Sequence, residues 1–347
     1  MIDRTRIALA AALLAAVVLL AGGLPEQPPA PVPAARATAE QEWPGAARAD
    51  LRDLTVEPLL FLDATTAVGT VTDGDFVRLV IEKAGIAREL RRLPAAGEPR
   101  FEGMTAAGDE LLWAESSGSR PVEIWGASRG GESRLLTADT GNTLFYGNQH
   151  DLVVADGRVY WAAGDGDEST QIRSVALAGG PVEVREEKGR WALSAWPWLT
   201  DEAGGQSGTV TMRELTTGRE VRVPFSGAEF GMCGPVWCRV MVMAGEGLAR
   251  IDLMRPDGSD RRRVAGSNAQ AAVSDVALLD RFEILSEPGP NFDLTGTAGL
   301  AVHDLRTGRT VTLAAAADLA AARNGMLWWS TGTKDAAVWH TLDLRTI

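Results

Sequence analysis

The sequence predicts an all-β fold built from a repeated four-stranded unit, and three observations support this prediction. First, a strand, a turn with glycine and a second strand recur along the chain. The copies begin at Val77, Glu123, Ile172, Val210, Ala249, Leu300 and Val338. Second, their mean spacing is about 43 residues, the length of a propeller blade. Third, no stretch beyond the N-terminal segment sustains a helical apolar pattern. We therefore predict a β-propeller.

A second apolar hairpin lies upstream of most copies and completes the four strands of each unit. Examples are Met104–Glu115, Leu152–Ala163 and Leu319–Thr331. The Asp-Gly pair of the second example and the Asn-Gly pair of the third supply the positive-φ residues that tight hairpins prefer. Each repeat therefore contains two hairpins.

The last copy stops after one strand, Val338–Leu344, and this predicts how the ring closes. A propeller must close, so an N-terminal strand is expected to complete the last blade. Val56–Leu62 is the spare strand that we assign to this role. The span from Val56 to Ile347 gives about 42 residues per blade for seven blades. Seven blades are predicted. Six are the alternative if Ala67–Leu93 completes another blade instead of forming part of its own.

The first 55 residues divide into two parts upstream of the propeller, which is predicted to span residues 56–347. Residues 1–24 consist of a positive head, an apolar run at Ile7–Leu20 and a small-residue exit. This pattern predicts a cleaved export signal or a retained membrane anchor. Either alternative places the rest of the chain outside the cytoplasm, secreted or tethered to the outer face of the cytoplasmic membrane. Residues 25–55, which are rich in proline and alanine, are expected to form an extended linker.

Composition excludes some classes of partner. The chain carries 34 Lys and Arg against 46 Asp and Glu, for a net charge of −12. This acidic balance argues against a nucleic-acid partner, because phosphate affinity comes from clustered basic residues. Because 45% of the residues are apolar, a substantial core can be buried. We expect a monomer that contacts the membrane only through its N-terminal segment.

Several segments resemble those of a known group. The strand, Asp-Gly-Ser turn and basic strand of Ile251–Val264 are similar to the repeat of the TolB-like, WD-repeat-like exported bacterial β-propellers. Leu193–Leu199, Asp275–Gly289 and Leu327–Gly332 also look like segments of such exported propellers. The resemblance covers about 290 residues and specifies the fold more than the function. It implies a binding or scaffolding role in the cell envelope and brings no catalytic residue with it.

Cys233 and Cys238 are the only cysteines and lie five residues apart across a Gly-Pro turn. An exported protein meets an oxidising environment, so we predict a disulfide between them. A metal site would need further ligands, and the three histidines belong to separate repeats.

Five repeats carry a carboxylate where the innermost strand is expected to begin. These residues are Glu102, Asp151, Glu229, Asp275 and Asp318. A ring of acids at one mouth of the channel would attract cations or basic peptides. The alternative is that each acid caps a local turn of its own backbone.

Two further side chains are candidates for binding. His150 adjoins the proposed ring beside Asp151 and is the position where a catalytic base would be sought. Trp196 precedes Pro197, so it either stacks on a sugar or peptide from an exposed loop or packs in the core.

Two motifs have precedents in catalysis or metal binding. Gly126–Gly130 matches the G-x-S-x-G pattern, but a hairpin turn lacks the strand–turn–helix setting that this nucleophile motif needs. Asp165–Ser169 places oxygen ligands at alternate positions, as calcium loops do, without the distal glutamate of an EF-hand. We expect no cofactor, with calcium as the alternative.

The leading hypothesis from the sequence is a non-catalytic module of the cell envelope that binds a protein or peptide. One alternative is an extracellular hydrolase or lyase that acts on glycans or lactones in the channel. Another is a membrane-anchored sensor of a small ligand or calcium. We favour binding because no catalytic constellation is evident in the sequence.

Overall fold

A computed structural model of the chain describes residues 36–118, 120–166, 168–201, 209–245, 247–333 and 336–347. The predicted signal or anchor and the first part of the predicted linker lie outside these residues. Within them, no helix is long and apolar enough to cross a membrane.

The described chain forms seven antiparallel sheets, which we number as blades in the order of their inner strands. Blade 1 comprises β2 (Glu57–Asp63), β3 (Thr66–Asp73), β4 (Phe76–Lys83) and β5 (Ile86–Pro94). Blade 2 comprises β6 (Arg100–Ala107), β7 (Glu110–Ser116), β8 (Glu123–Ser128) and β9 (Arg134–Thr137). Blade 3 comprises β10 (Asn142–Thr143), β11 (Val153–Ala155), β12 (Arg158–Asp165), β13 (Ser169–Ala176) and β14 (Glu183–Lys188). Blade 4 comprises β15 (Trp191–Leu193), β16 (Trp198–Asp201), β17 (Thr209–Glu214) and β18 (Glu220–Pro224).

The remaining blades follow the same order. Blade 5 comprises β19 (Glu229–Cys233), β20 (Cys238–Ala244), β21 (Gly247–Met254) and β22 (Arg262–Gly266). Blade 6 comprises β23 (Gln270–Ala271), β24 (Phe282–Pro288), β25 (Ala298–Asp304) and β26 (Arg309–Ala317). Blade 7 comprises β27 (Ala320–Arg323), β28 (Met326–Thr331), β29 (Val338–Asp343) and β1 (Arg48–Leu51). The short helices are α1 (Ala39–Glu42) and α2 (Phe292–Thr295), with 3-10 turns at Ala95–Gly97 and Leu344–Thr346.

The predicted fold class is confirmed, with seven blades rather than six. In the first six blades the recurring segment forms the third and fourth strands, and the hairpin upstream forms the first two. The segment 67–93 belongs to a blade of its own, because β2 provides that blade with an inner strand. The G-x-S-x-G match ends in the turn after β8, which leads to β9.

The ring is closed by an N-terminal strand, as predicted, but by a different one. Val56–Leu62 does not pair beside Val338–Leu344, because Glu57–Asp63 is the inner strand of blade 1. The closing strand is β1, which pairs antiparallel with β29 and lies within the stretch expected to be a linker. The reason is burial. The apolar run of β2 suits the innermost strand of a blade, which is covered by neighbouring blades, whereas an outermost strand such as β1 can be short and polar.

Residues before β1 extend this closure to blade 6. The backbone at Thr38 forms a parallel bridge with Thr312 on the edge strand β26. Trp43 is buried and packs edge-on against Phe282, with 6.0 Å between the ring centroids. This segment therefore links the last two blades across their junction.

The core consists of apolar clusters in which side chains of adjacent blades pack together. Among the largest fully buried side chains are Trp113, Trp161 and Trp328, each on the second strand of its blade. Trp329 is also buried, although it points to the opposite face from Trp328. Both faces of a blade are covered, so successive tryptophans can both be core residues.

The predicted disulfide is present between Cys233 and Cys238. It links β19 to β20 across a hairpin closed by a hydrogen bond from the Gly234 N–H to the Trp237 carbonyl, with an N–O distance of 2.9 Å. The disulfide therefore fixes the turn between the first two strands of blade 5.

Reduction of this disulfide is expected to lower the free energy of unfolding by about 2 kcal/mol, because the reduced chain regains the entropy of a short loop. Urea unfolding with and without dithiothreitol measures the difference. The C233S/C238S variant serves as the control, because its unfolding should not respond to the reductant. Equal stability of the oxidised and reduced wild-type protein would contradict the prediction.

Candidate functional site

The inner strand of blade 3 is interrupted by a loop, residues 145–152, which we call the plug loop. The strands on either side, β10 and β11, pair with opposite ends of β12. Within the loop, the Asp151 carboxylate accepts hydrogen bonds from the backbone N–H groups of Tyr146 and Gly147, both at 2.8 Å. Asp151 therefore caps its own loop, as the capping alternative predicts for this residue.

The plug loop crosses the central channel. Arg323 of blade 7 donates to the backbone carbonyls of Asn148 at 3.0 Å and Gly147 at 3.2 Å. The neighbouring Asn324 N–H donates to the Gln149 side-chain oxygen at 3.2 Å. Blades 3 and 7 are not neighbours in the ring, so these contacts join opposite walls of the channel.

The loop also meets blade 6, where His150 and Asp275 lie close together. The Nε2 of His150 is 3.5 Å from an Asp275 carboxylate oxygen. Burial raises the pKa of Asp275 to about 6. A hydrogen bond from Gln149 acts in the opposite direction, because it favours the ionised form of Asp275. Burial and then the Arg323 charge lower the pKa of His150 to about 4. At neutral pH this pair is therefore a neutral imidazole beside a carboxylate.

A buried ion pair fixes the segment that contains Asp275. Arg239 on β20 pairs with Glu283 on β24, and both side chains are almost fully buried. Arg239 also donates to the backbone carbonyls of Ser274 and Asp275. The other oxygen of Glu283 accepts from the Ala277 N–H at 2.9 Å. Blades 5 and 6 together therefore determine where Asp275 lies.

A cavity of about 560 Å³ lies beside the plug loop, in the size range of small-ligand sites. Its other walls come from blades 4, 5 and 6, mainly from the connections between the first and second strands. One of these connections is the disulfide hairpin. Its apolar walls include Val210, Met232, Pro235, Trp237, Leu278 and Leu279. Met232 and Leu279 are about half exposed, so the cavity is open to solvent.

The charged groups of the cavity are mostly of one sign. Asp201, Asp275 and Asp280 line it together with His150, and no lysine or arginine is among the described lining residues. Burial raises the pKa of Asp280 as well as that of Asp275. The Oδ1 atom of Asp201 is buried and has no hydrogen-bond partner among the described residues. The cavity therefore offers carboxylate acceptors on an apolar surface.

The structure brings four of the seven predicted binding residues together. His150 and Asp275 are in contact, and the charge of Asp151 acts on Asp275. Glu102, exposed on β6, acts in turn on Asp151 and raises its pKa, although burial of Asp151 is the larger cause. Asp275 does not begin a strand as expected. It lies beyond the end of β23, because this inner strand is only two residues long and the chain then leaves the sheet.

The other three predicted binding residues lie elsewhere. Glu229 begins β19 and accepts from the Ser226 N–H at 3.0 Å, while its other oxygen pairs with Arg261 at 2.7 Å. Asp318 is exposed just before β27. Trp196 packs against Tyr160 of blade 3, with 3.9 Å between the ring centroids and 32° between the ring planes, and does not line the cavity. The five acids therefore do not form one ring.

Sequence reasoning missed several residues of the site. No pattern in the sequence identifies four of them, which are Gln149, Asp201, Asp280 and Arg323. The available signal for Arg323 was an arginine in the turn of an otherwise apolar inner hairpin. Nothing in the sequence indicated that Asp201 and Asp280, from different blades, share a cavity.

In the described part of the chain, no group of three His, Cys, Asp or Glu side chains is placed to hold a metal ion. The Asp165–Ser169 turn, for which calcium binding is the alternative, joins β12 to β13, but Asp167 and the side chain of Asp165 lie outside the described residues. The expectation of no cofactor, with calcium at this turn as the alternative, stays a prediction.

Comparison with known proteins supports the fold. No protein-family model matches this chain, and no curated protein matches it in sequence. An uncharacterized protein from Listeria monocytogenes EGD-e, lmo1340, is similar in structure, with 8% identity and a TM-score of 0.51 over 78% of this chain and 87% of that chain. A puromycin-hydrolyzing peptidase of Mycobacterium tuberculosis has 15% identity and a TM-score of 0.49 over 87% of this chain and 55% of that chain.

An oligogalacturonate lyase, solved in complex with manganese, has 11% identity and a TM-score of 0.46 over 80% of this chain and 81% of that chain. At such identities the likeness is one of fold. This protein is a seven-bladed β-propeller with an acidic cavity at one end of its channel. The resemblance to the TolB-like propellers is thus confirmed for the fold.

Proposed function

We propose that this protein is a non-catalytic binding module of the cell envelope, whose cavity takes a basic segment of a peptide or protein. The observation that supports the proposal is the composition of the cavity. It combines apolar walls with three aspartates, and its described lining contains no lysine or arginine.

Lysine and arginine side chains match such a surface. Each has an apolar stem that can lie on apolar walls and a cationic head that can reach a carboxylate. The cavity volume of about 560 Å³ accommodates more than one such side chain. The net charge of −12 adds a long-range field that speeds the encounter with a basic partner.

The proposed partner fits the expectation that the protein is exported. A domain held outside the cytoplasm by an anchor, or secreted, would meet the exposed basic segments of envelope proteins. Its acidic surface is then suited to partners of opposite charge.

The test uses the full-length chain in mild detergent and a fluorescein-labelled hexapeptide of alternating arginine and leucine. The same hexapeptide with glutamate in place of arginine is the probe of opposite charge. We expect the basic peptide to bind, and the D201N/D275N/D280N variant to bind it at least about tenfold more weakly, a loss of about 1.4 kcal/mol or more. Fluorescence anisotropy measures both affinities.

A second variant neutralises three exposed acids away from the cavity, D257N/D293N/D318N. It changes the net charge by the same amount, so it separates the cavity from the general acidic field. The proposal fails if wild type binds both peptides equally, or if the two triple variants lose the same affinity.

A hydrolase or lyase is the second candidate, and one observation favours it. His150 lines the cavity and lies 3.5 Å from Asp275, so an imidazole and a carboxylate that could share a proton meet there. Turnover of a glycan or lactone that is abolished in H150A, with the fold retained, would establish this function. Unchanged turnover in H150A would exclude His150 as the base.

A further inference from the structure

We propose that Arg323 is a positioning residue for the cavity: it holds the plug loop from the opposite side of the channel, so that His150 meets Asp275. Arg323 does not line the cavity. The inference deepens the proposed function and rests on it for the ligand, but part of its test needs no ligand.

The contacts of Arg323 are unusual in number and direction. Its guanidinium donates to three backbone carbonyls, those of Met104 in blade 2 and of Gly147 and Asn148 in the plug loop, at 3.0–3.2 Å. One side chain therefore joins blades 2, 3 and 7 across the centre of the ring. The planar fork of arginine suits such divergent acceptors, whereas the single nitrogen of lysine does not.

The residue after Arg323 reinforces this arrangement. The Asn324 N–H donates to the side-chain oxygen of Gln149 at 3.2 Å, and Gln149 hydrogen-bonds in turn to Asp275. A continuous chain of contacts thus runs from the inner hairpin of blade 7 through the plug loop to blade 6. Displacement of the loop would move Gln149 and His150, which both line the cavity.

Charges from several blades face this centre. Asp151 of the plug loop and Asp275 of blade 6 act on Arg323. Glu102 of blade 2 acts on Asp151, and Arg239 of blade 5 acts on Asp275. Arg323 is the cation between the two aspartates. Its charge alone would repel a basic ligand, so its geometric and electrostatic effects on binding have opposite signs.

This opposition gives a decisive test with the full-length chain and the arginine–leucine hexapeptide. If Arg323 positions the loop, R323Q lowers the affinity by about tenfold although a positive charge has been removed. R323K keeps the charge but cannot bridge three carbonyls, so it also lowers the affinity. If Arg323 acts only through its charge, R323Q binds more tightly than wild type and R323K is unchanged. That result would overturn the proposal.

The matched control is R88Q. Arg88 also joins two blades through backbone carbonyls, those of Arg129 and Gly131, but it does not line the cavity or contact the plug loop. We expect R88Q to keep the affinity of wild type. If R88Q and R323Q lose affinity equally, the effect of Arg323 is general to the fold and the proposal fails.

The second readout is the titration of His150 by NMR, which the presence of only three histidines makes simple to assign. In wild type its pKa is about 4. In R323Q it should rise by at least about one unit toward the ordinary value, because burial is relaxed and a positive charge is removed. In R323K the positive charge remains, so a rise in the His150 pKa would come only from reduced burial of His150. Such a rise would support the positioning of the plug loop by Arg323. An unchanged His150 pKa in both variants would refute the positioning role of Arg323, whether or not the peptide binds. A wild-type protein that binds no peptide would reject only the proposed function, because the titration of His150 needs no ligand.

Discussion

Replacement of Arg239 by methionine is expected to lower the free energy of unfolding by about 3–5 kcal/mol. The variant leaves Glu283 fully buried without its charge partner, and among the described residues only the Ala277 N–H still donates to it. The carbonyls of Ser274 and Asp275 lose their donor at the same time. A buried carboxylate without a cation must be desolvated or protonated, and both are unfavourable.

The double variant R239M/E283L separates the loss of the pair from the penalty of an isolated charge. It removes both charges and replaces them by apolar groups, so it should be more stable than R239M by at least about 1 kcal/mol. Denaturant unfolding of the wild type, R239M, E283L and R239M/E283L gives the coupling energy. If R239M and the double variant are equally unstable, the isolated charge is not the cause.

An exposed pair serves as the control for this experiment. Arg92 and Glu89 form an ion pair of 2.9 Å at the surface of blade 1, where both side chains are well exposed. Solvent screens such a pair, so R92M should lower the free energy of unfolding by less than about 1 kcal/mol. A loss in R92M as large as that in R239M would show that burial is not what makes the Arg239 pair important.

The blades were predictable because their signal is local and repeated. Each hairpin brings together residues a few positions apart, and the turn glycines and apolar strands recur in every copy. The closing strand was not predictable in the same way. Arg48–Leu51 is a short edge strand whose role is set by pairing with β29, almost 300 residues away. The stronger apolar pattern of Val56–Leu62 indicates burial and therefore the innermost strand of a blade.

The site was predictable only in part, for a related reason. The repeat pattern places Glu102 and Glu229 near the starts of innermost strands, and the structure agrees. The same pattern fails at Asp275 and Asp151, because the chain leaves the sheet there and the position in the repeat no longer gives the position in space. The two segments that leave the sheet meet at the contact between His150 and Asp275. Arg323 contacts the plug loop 175 residues away in sequence, a relation that no local pattern encodes.

The His150–Asp275 pair is expected to make two opposite contributions to stability between pH 4 and 6.5. The pKa of Asp275 is raised from 3.8 to about 6, so the folded protein keeps a proton that the unfolded chain loses as the pH rises. Its contribution therefore falls by about 2 kcal/mol between pH 4 and 6, out of about 3 kcal/mol over the whole titration. The pKa of His150 is lowered from 6.5 to about 4, so the unfolded chain gains a proton first as the pH falls. Its contribution therefore rises by about 3 kcal/mol between pH 4 and 6.5.

Single replacements should reveal how each group changes the free energy of unfolding with pH. In wild type the two contributions nearly cancel between pH 4 and 6. Relative to wild type, H150Q should lose about 3 kcal/mol as the pH rises from 4 to 6.5, because the unfavourable ionisation of Asp275 is no longer offset. D275N should show the reverse and gain about 2 kcal/mol relative to wild type over the same range.

The measurement is urea unfolding of the three proteins at intervals from pH 4 to 7.5. Other titrating groups are common to all three, so the difference from wild type isolates the pair. Above about pH 7 both difference curves should be flat, since His150 is then neutral and Asp275 ionised in both states. Difference curves of the same sign, or flat curves throughout, would mean that the two groups do not have the opposed pKa shifts that their burial in the channel implies.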